Sequence, residues 1–448
     1  MTYDRRVFAL IITLGALGLA TDQAAEAAPA QDAPAQTAHQ HHMPASGDLF
    51  PAREGSGTSW LPDETQMHGA SRTWRGWTMA MHGSLFTQFL YEPGDRHRTG
   101  GVSTHQFSAP NWGMVMGRRL AGRGRVGFRA MMSLDPLTIP GCGYISFLAS
   151  GEACDGDTIH DRQHPHDVFM ELAADYDRPL RGRLRWTIYG GLAGEPALGP
   201  AAFPHRRSAA LNPIAPIGHH WLDATHITFG VVTAGVYDSR WKAEVSAFNG
   251  REPDEHRSGL DLGPLDSFSG RLSFSPTPRL ALQVSAGHLE EAELEFEPQP
   301  RADVNRFTAS ATYHRSLGGG AWASTIALGM NSARKPIPEG SFASRTLAWL
   351  FESTATLRDR HTVFGRVEIV EKPAHDLHAH EFPTSIFTVG KLQAGYVREI
   401  GRWTRASAGI GATASLSLVP AELESRYGGR ASPGAGLFFS LRPGRHSM

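Results

Sequence analysis

Apolar and polar positions alternate along residues 240–249. Trp241, Ala243, Val245 and Ala247 fall on one side, and Lys242, Glu244 and Ser246 on the other. A period of two places the two sets on opposite faces of an extended strand. Just before it, Tyr237-Asp238-Ser239-Arg240 leaves room only for a tight turn, and residues 227–237 read as the preceding strand. The same alternation recurs down the chain. Leu184, Trp186 and Ile188 oppose Arg183, Arg185 and Thr187. Leu282, Val284 and Ala286 oppose Gln283 and Ser285. Phe307, Ala309, Ala311 and Tyr313 oppose Thr308, Ser310, Thr312 and His314, and Val363, Val367 and Ile369 oppose Arg366 and Glu368.

Read in this way, strands run at about 77–91, 105–119, 125–135, 165–177, 183–194, 223–237, 240–250 and 266–275. They continue at about 279–290, 303–316, 321–332, 343–357, 361–372, 384–399, 402–418 and 434–442. The pattern predicts about sixteen strands, or fourteen if a weak pair is lost. Most are near the ~10 residues that a tilted membrane strand needs. Every second connection is short, as at 121–123, 179–182, 238–239, 276–278, 317–320, 358–360 and 400–401. The alternate ones are long and polar, among them 136–164, 195–222, 251–265 and 373–383. Short turns at one end and long loops at the other are the pattern of an outer-membrane barrel, with the short turns in the periplasm. Tyr176, Tyr237, Trp241, Tyr313, Trp322 and Trp403 crowd the short-turn end, where an aromatic girdle is expected. The fold class predicted is all-β: a transmembrane, antiparallel, up-and-down β-barrel. A water-soluble sandwich or solenoid is the alternative, since its strands also alternate.

Composition agrees with a barrel. The 448 residues carry 43 Lys+Arg against 44 Asp+Glu, a balance that gives no reason to expect a nucleic-acid partner. The mean hydropathy of −0.29 argues against a bundle of membrane helices. It does not exclude a barrel, where alternation keeps the average low. Residues 1–28 read as a signal peptide: Arg5 and Arg6 precede an apolar run over Val7–Ala20, and Ala25-Glu26-Ala27 suits cleavage after about Ala27. Residues 29–76 read as a flexible periplasmic leader bearing Met and His, residues 77–442 as the barrel, and residues 443–448 as a C-terminal tail. The aromatic closing strand is the natural signal for the barrel-assembly machinery, although the chain runs on past it.

Two constellations carry candidate chemistry. Cys142 and Cys154, twelve positions apart in one loop of an exported chain, are expected to form a disulfide. His is unusually frequent, at 22 residues, and many fall in the long loops and at strand tops. His160, His164, His166, Asp167, His219, His220, Asp223 and His226 are the candidate metal ligands, for Zn or Cu. His375, Asp376, His378, His380 and Glu381 form a further group, and Asp254, Glu255 and His256 another. The bland alternative is a hydrogen-bonded His–Asp lattice that closes the mouth, with both ring nitrogens held. Across the leader and the start of the first strand, His39, His41, His42, Met43, Met67, His68, Met79, Met81 and His82 combine thioether and imidazole, which suits Cu(I). No Gly-x-Ser-x-Gly, His-Glu-x-x-His or phosphate-loop motif is present, so no catalytic residue is singled out.

With signal, leader and barrel in this order, the layout resembles porin-like outer-membrane barrels. On His39-Gln40-His41-His42-Met43 and Met79-Ala80-Met81-His82 it is similar to the copper-resistance protein B family, in which a Met/His-rich leader precedes a barrel. That resemblance implies an outer-membrane location and a link to copper. The leader here is shorter and poorer in Met, and the barrel larger. The function expected is a non-enzymatic outer-membrane channel or binding protein for a small solute or metal ion, with membrane lipid around it. The alternatives are an outer-membrane hydrolase using mouth histidines and a structural barrel without transport.

Overall fold

The computed structural model describes residues 53–66, 69–93, 104–293, 301–337, 340–403 and 406–444. The expected signal peptide, the His39–Met43 cluster, Met67-His68 and the last four residues of the tail lie outside them. Among the described residues the chain forms β1 (Trp77–Tyr91), β2 (His105–Ser108 and Asn111–Ala121, interrupted at Pro110), β3 (Gly124–Met132) and β4 (Phe169–Arg181). Next come β5 (Leu184–Gly194), β6 (Thr228–Tyr237), β7 (Trp241–Phe248) and β8 (Ser267–Thr277). β9 (Leu280–Glu293), β10 (Ala302–Leu317), β11 (Gly320–Ile337) and β12 (Gly340–Leu357) follow. β13 (His361–Pro373), β14 (Ile386–Arg402), β15 (Ala406–Leu418) and β16 (Ala431–Pro443) complete the set. Each strand pairs antiparallel with the next, and β1 closes on β16 from Leu85↔Leu441 to Tyr91↔Ala435. The predicted sixteen-strand closed barrel is the fold found. A short strand, Ala70–Trp74, folds back on the start of β1 through Arg75 and Gly76, both with positive φ.

The alternation becomes two surfaces. Val245 is 65 % exposed and Leu437 65 %, whereas Glu244 is 4 % and Arg271 3 % exposed. Outward residues are apolar, and the inward face is mainly polar or charged, with apolar patches such as Met114, Met131 and Phe229 where side chains cluster inside. An apolar outer band around a polar interior is the surface of a transmembrane barrel. Two residues depart from the predicted faces. Arg183 lies in the turn after β4 and is exposed, not lumenal. Tyr237 faces inward, because it stands directly opposite the inward Lys242. Its hydroxyl donates to Asp177 at 2.7 Å and its ring meets Trp60, so it is not part of an aromatic girdle.

The lumen is filled. Residues 195–227, which join β5 to β6, cross the interior and hydrogen-bond the wall all round. Ser208 meets Thr325 at 2.8 Å, the Gly218 N–H donates to Glu368 at 3.0 Å, and the Trp221 indole donates to Thr346 at 2.8 Å. Arg206, fully buried, pairs with Glu352 at 2.7 Å and with Asp223 of its own loop. A hairpin of Tyr144–Cys154 and Asp157–Gln163 lies over the loop end, pinned by Lys372 Nζ to Ser150 at 2.5 Å. Cys142 and Cys154 are joined, as expected. Residues 53–66, part of the stretch expected to be a flexible leader, are instead folded against the short-turn end of the wall. Glu54 pairs with Arg118, Glu64 with Arg279 at 2.8 Å, and Thr65 with His314 at 2.8 Å. The reason is charge: inward arginines in a low-dielectric interior require acceptors, and this segment supplies them.

Candidate functional site

Three long loops meet inside the mouth. Residues 164–168 descend from the hairpin into β4 and bring His164 and His166. The crossing loop makes a single helical turn, His219–Leu222, and then a 3-10 turn, Ala224–His226. These turns carry His219, His220 and His226. The loop after β7 brings Glu252. Five imidazoles are thereby buried side by side. Ring centroids lie 5.9 Å apart for His164–His219 and 5.8 Å for His164–His220. They lie 5.4 Å apart for His166–His226 and for His219–His220, and 5.0 Å for His219–His226.

Each ring is held by one nitrogen. Nδ1 of His166 is 2.7 Å from Asp135 Oδ2, that of His219 is 2.8 Å from Asp223 Oδ1, and that of His220 is 2.7 Å from Glu252 Oε1. Nδ1 of His226 is 2.9 Å from the Asp223 carbonyl oxygen. Nδ1 of His164 is 3.1 Å from Glu152 Oε2 and 3.2 Å from the Pro165 carbonyl. Every one of these partners accepts only, so in the neutral ring Nδ1 carries the hydrogen and Nε2 the lone pair. All five Nε2 atoms are buried without a protein partner. A His–Asp lattice that closes the mouth would hold both nitrogens. Here only the Nδ1 half of such a lattice exists, and this is how metal-ligating histidines are oriented by their outer partners.

Burial holds His164, His219 and His226 below the ordinary imidazole value, with Asp223 partly offsetting this at His219. Their lone pairs therefore stay free at neutral pH. Burial also opposes a charge on His220, but the Glu252 carboxylate outweighs it and raises this ring. Gly151, at φ +116°, lies so close to His220 that a Cβ there would stand 2.2 Å from the ring. Above His220 is a cavity of about 40 Å³ whose lining includes Glu152, Glu252, Glu293, Asp376 and His375. Carboxylates at the entrance favour a cation.

The sequence candidates divide. His164, His166, His219, His220 and His226 are brought together. Asp223 is committed to Arg206 and to orienting His219. Asp167 faces Arg257 at 3.6 Å, and burial and Glu152 push it up to about 8. His160 is outside the cluster: it stacks on His378 at 3.6 Å, near His380. His256 is exposed beside Asp254. Asp135, Glu152 and Glu252, which orient three of the rings, are not singled out by the sequence. Asp135 and Glu252 lie 31 and 32 positions from their histidines, and no motif spacing marks Glu152 as the partner of His164. The donor groups that close within 4.8 Å among the described residues are Cys142–Cys154–Asp155, whose cysteines are bonded to each other, and His288–Glu290–Asp303. No three of the five lumenal rings bring one nitrogen each within that distance of one another.

No family model matches the chain, and no curated protein matches it. The proposed likeness to the copper-resistance protein B family thus finds no support. Several solved structures resemble it. An anion-selective porin from Comamonas acidovorans shares 10% identity, with 82% of this chain and 99% of that one covered, at a TM-score of 0.48. Salmonella typhi OmpF, in a complex with daunomycin, shares 8% over 83% and 100%, at 0.48. The outer membrane channel DcaP of Acinetobacter baumannii shares 9% over 84% and 100%, also at 0.48.

Proposed function

We propose that this protein is a bacterial outer-membrane barrel that binds a divalent transition-metal ion, Zn²⁺ or Cu²⁺, inside its mouth. The five buried Nε2 atoms left without a partner carry this reading. Buried polar atoms cost free energy when unpaired, and here five of one kind are gathered within neighbouring rings. Imidazole nitrogen is a borderline donor suited to Zn and Cu. The rings must draw together to share one ion, and their outer acceptors, four carboxylates and one backbone carbonyl, already fix the correct tautomer. The acidic cavity over His220 gives the ion its approach. The filled lumen makes passage dependent on movement of the crossing loop, so binding is the primary function and transport follows from it.

The test is calorimetric titration of the purified barrel with Zn²⁺ and Cu²⁺ at pH 7.5, alone and as the double variant His164→Ala with His219→Ala. Binding weaker by more than the ~10–100-fold that changing an outer partner alone costs is expected in the variant, because it lacks two of the donor imidazoles themselves. Absence of binding in the unmodified protein, or an unchanged affinity in the variant, leaves the histidines as a structural lattice.

A further inference from the structure

A second group of soft donors lines the wall below the five histidines. His82 of β1 stands opposite Met114 of β2, and Met114 stands opposite Met131 of β3. Residues directly opposite on one face are near neighbours, so the three make a row across three strands. Met114 and Met131 pack in one buried cluster with Met116 and Met170. The crossing loop lowers His205 onto this row. Its Nε2 lies 3.4 Å from Met131 Sδ, and its ring is 5.6 Å from that of His82, nearly perpendicular to it. Trp112 closes the side, 5.0 Å from His205 and 5.5 Å from His82. His82 Nε2 is buried and has no protein partner.

We propose that His82, His205 and Met131, with Met114 as a further sulfur, form a binding site for a soft monovalent cation, Cu(I) or its analogue Ag(I). The alternative is an apolar core that uses Met as filler, its ordinary role. That alternative gives no reason for two imidazoles 5.6 Å apart in a thioether and aromatic lining, one of them with an unsatisfied nitrogen. Thioether with imidazole selects Cu(I) over harder ions. The donors named are all neutral, so one positive charge suits them better than two. The nearby Arg129 is compensated by Glu54 at 3.4 Å and Glu171 at 4.0 Å. The flanking Trp112 ring is a further favourable neighbour for a cation. This site does not rest on the five-histidine centre. It uses other residues and another class of ion, and the two readings can fail separately.

The experiment titrates Ag(I) into the full mature protein in chloride-free buffer and compares Met131→Leu and the double variant Met114→Leu with Met131→Leu. Met and Leu are similar in volume, so these changes are among the best tolerated in a core. At least a tenfold loss of Ag(I) affinity at one site is expected in the double variant, with Zn²⁺ binding unchanged. Replacing His164 and His219 by Ala is expected to leave that Ag(I) site intact. Unchanged Ag(I) affinity in the double variant overturns the proposal, as does loss of the site in the His164/His219 variant. If the Leu variants do not fold, X-ray absorption of the Cu(I)-loaded wild-type barrel after removal of residues 28–52 decides. Combined nitrogen and sulfur scatterers support the site, and a shell without sulfur overturns it.

Discussion

Glu195, at the start of the crossing loop, is 3 % exposed, and its carboxylate lies 3.8 Å from Arg271, beyond hydrogen-bond reach. Burial pushes it up to about 8, and Arg271 only partly counters this. A carboxyl whose folded value is raised favours folding in its protonated form. Its contribution is fully present below the unfolded value, near 4.5, and is lost as pH rises towards about 8. Glu195→Gln, which stays neutral, is therefore expected to match the parent's melting temperature near pH 4 and to exceed it at pH 8.5. Equal melting at both values would show that the carboxylate ionises without cost. At this scale the sequence speaks unevenly. The histidines are visible because they recur at short spacing just before two strand starts. Their orienting partners are not, since Glu252 reaches His220 across 32 positions and Asp135 reaches His166 across 31. His82 is marked only as one of a run of Met and His positions, and Met131 lies in an alternating stretch, where a lumenal site looks like any inward face.

The strand is the element that the chain states most openly. In β7, Val245 is 65 % exposed and its neighbour Glu244 4 %, as the period of two requires. Arg at position 245 would place a charge against lipid. If that position lies near the bilayer midplane, Val245→Arg is expected to cost ~2–4 kcal/mol in unfolding from bilayers, and Ser246→Arg to behave differently because it points inward. A cost within error of zero for Val245→Arg would mean that this face is not lipid-embedded. All sixteen strands were readable because each repeats its own pattern locally. The crossing loop was not readable as a plug. It has no period, and its anchors join distant positions, as Arg206 does with Glu352 across 146 residues. Tyr237 was misplaced for a related reason. Nearness to a turn suggested a girdle, but its face is fixed by the parity of the ladder with Lys242.

The whole molecule is a barrel closed twice, by the crossing loop and by residues 53–66 at the short-turn end. The second closure is electrostatic. Glu54 neutralises Arg118 and faces Arg129 at 3.4 Å, and Thr58 accepts from Arg271 at 2.8 Å and from Lys242 through its carbonyl. Around it lies a cavity of about 70 Å³ whose lining includes Arg118, Arg125, Arg129 and Lys242. Removing residues 53–66 takes away Glu54, Asp63 and Glu64 together with Arg53 and widens the cavity, while the strand pairings that close the wall involve none of the removed residues. In planar bilayers the deletion variant is expected to give larger unitary conductance than the intact protein. It is also expected to prefer anions, because Arg118 and Arg129 then face solvent with fewer acceptors. The preference should weaken as salt rises from 0.1 M to 1 M, where the screening length falls from about 10 Å to about 3 Å. Equal conductance in both proteins would show that the crossing loop alone closes the lumen, and a cation preference would show that Asp175, Asp177 and Glu171 dominate the exposed wall.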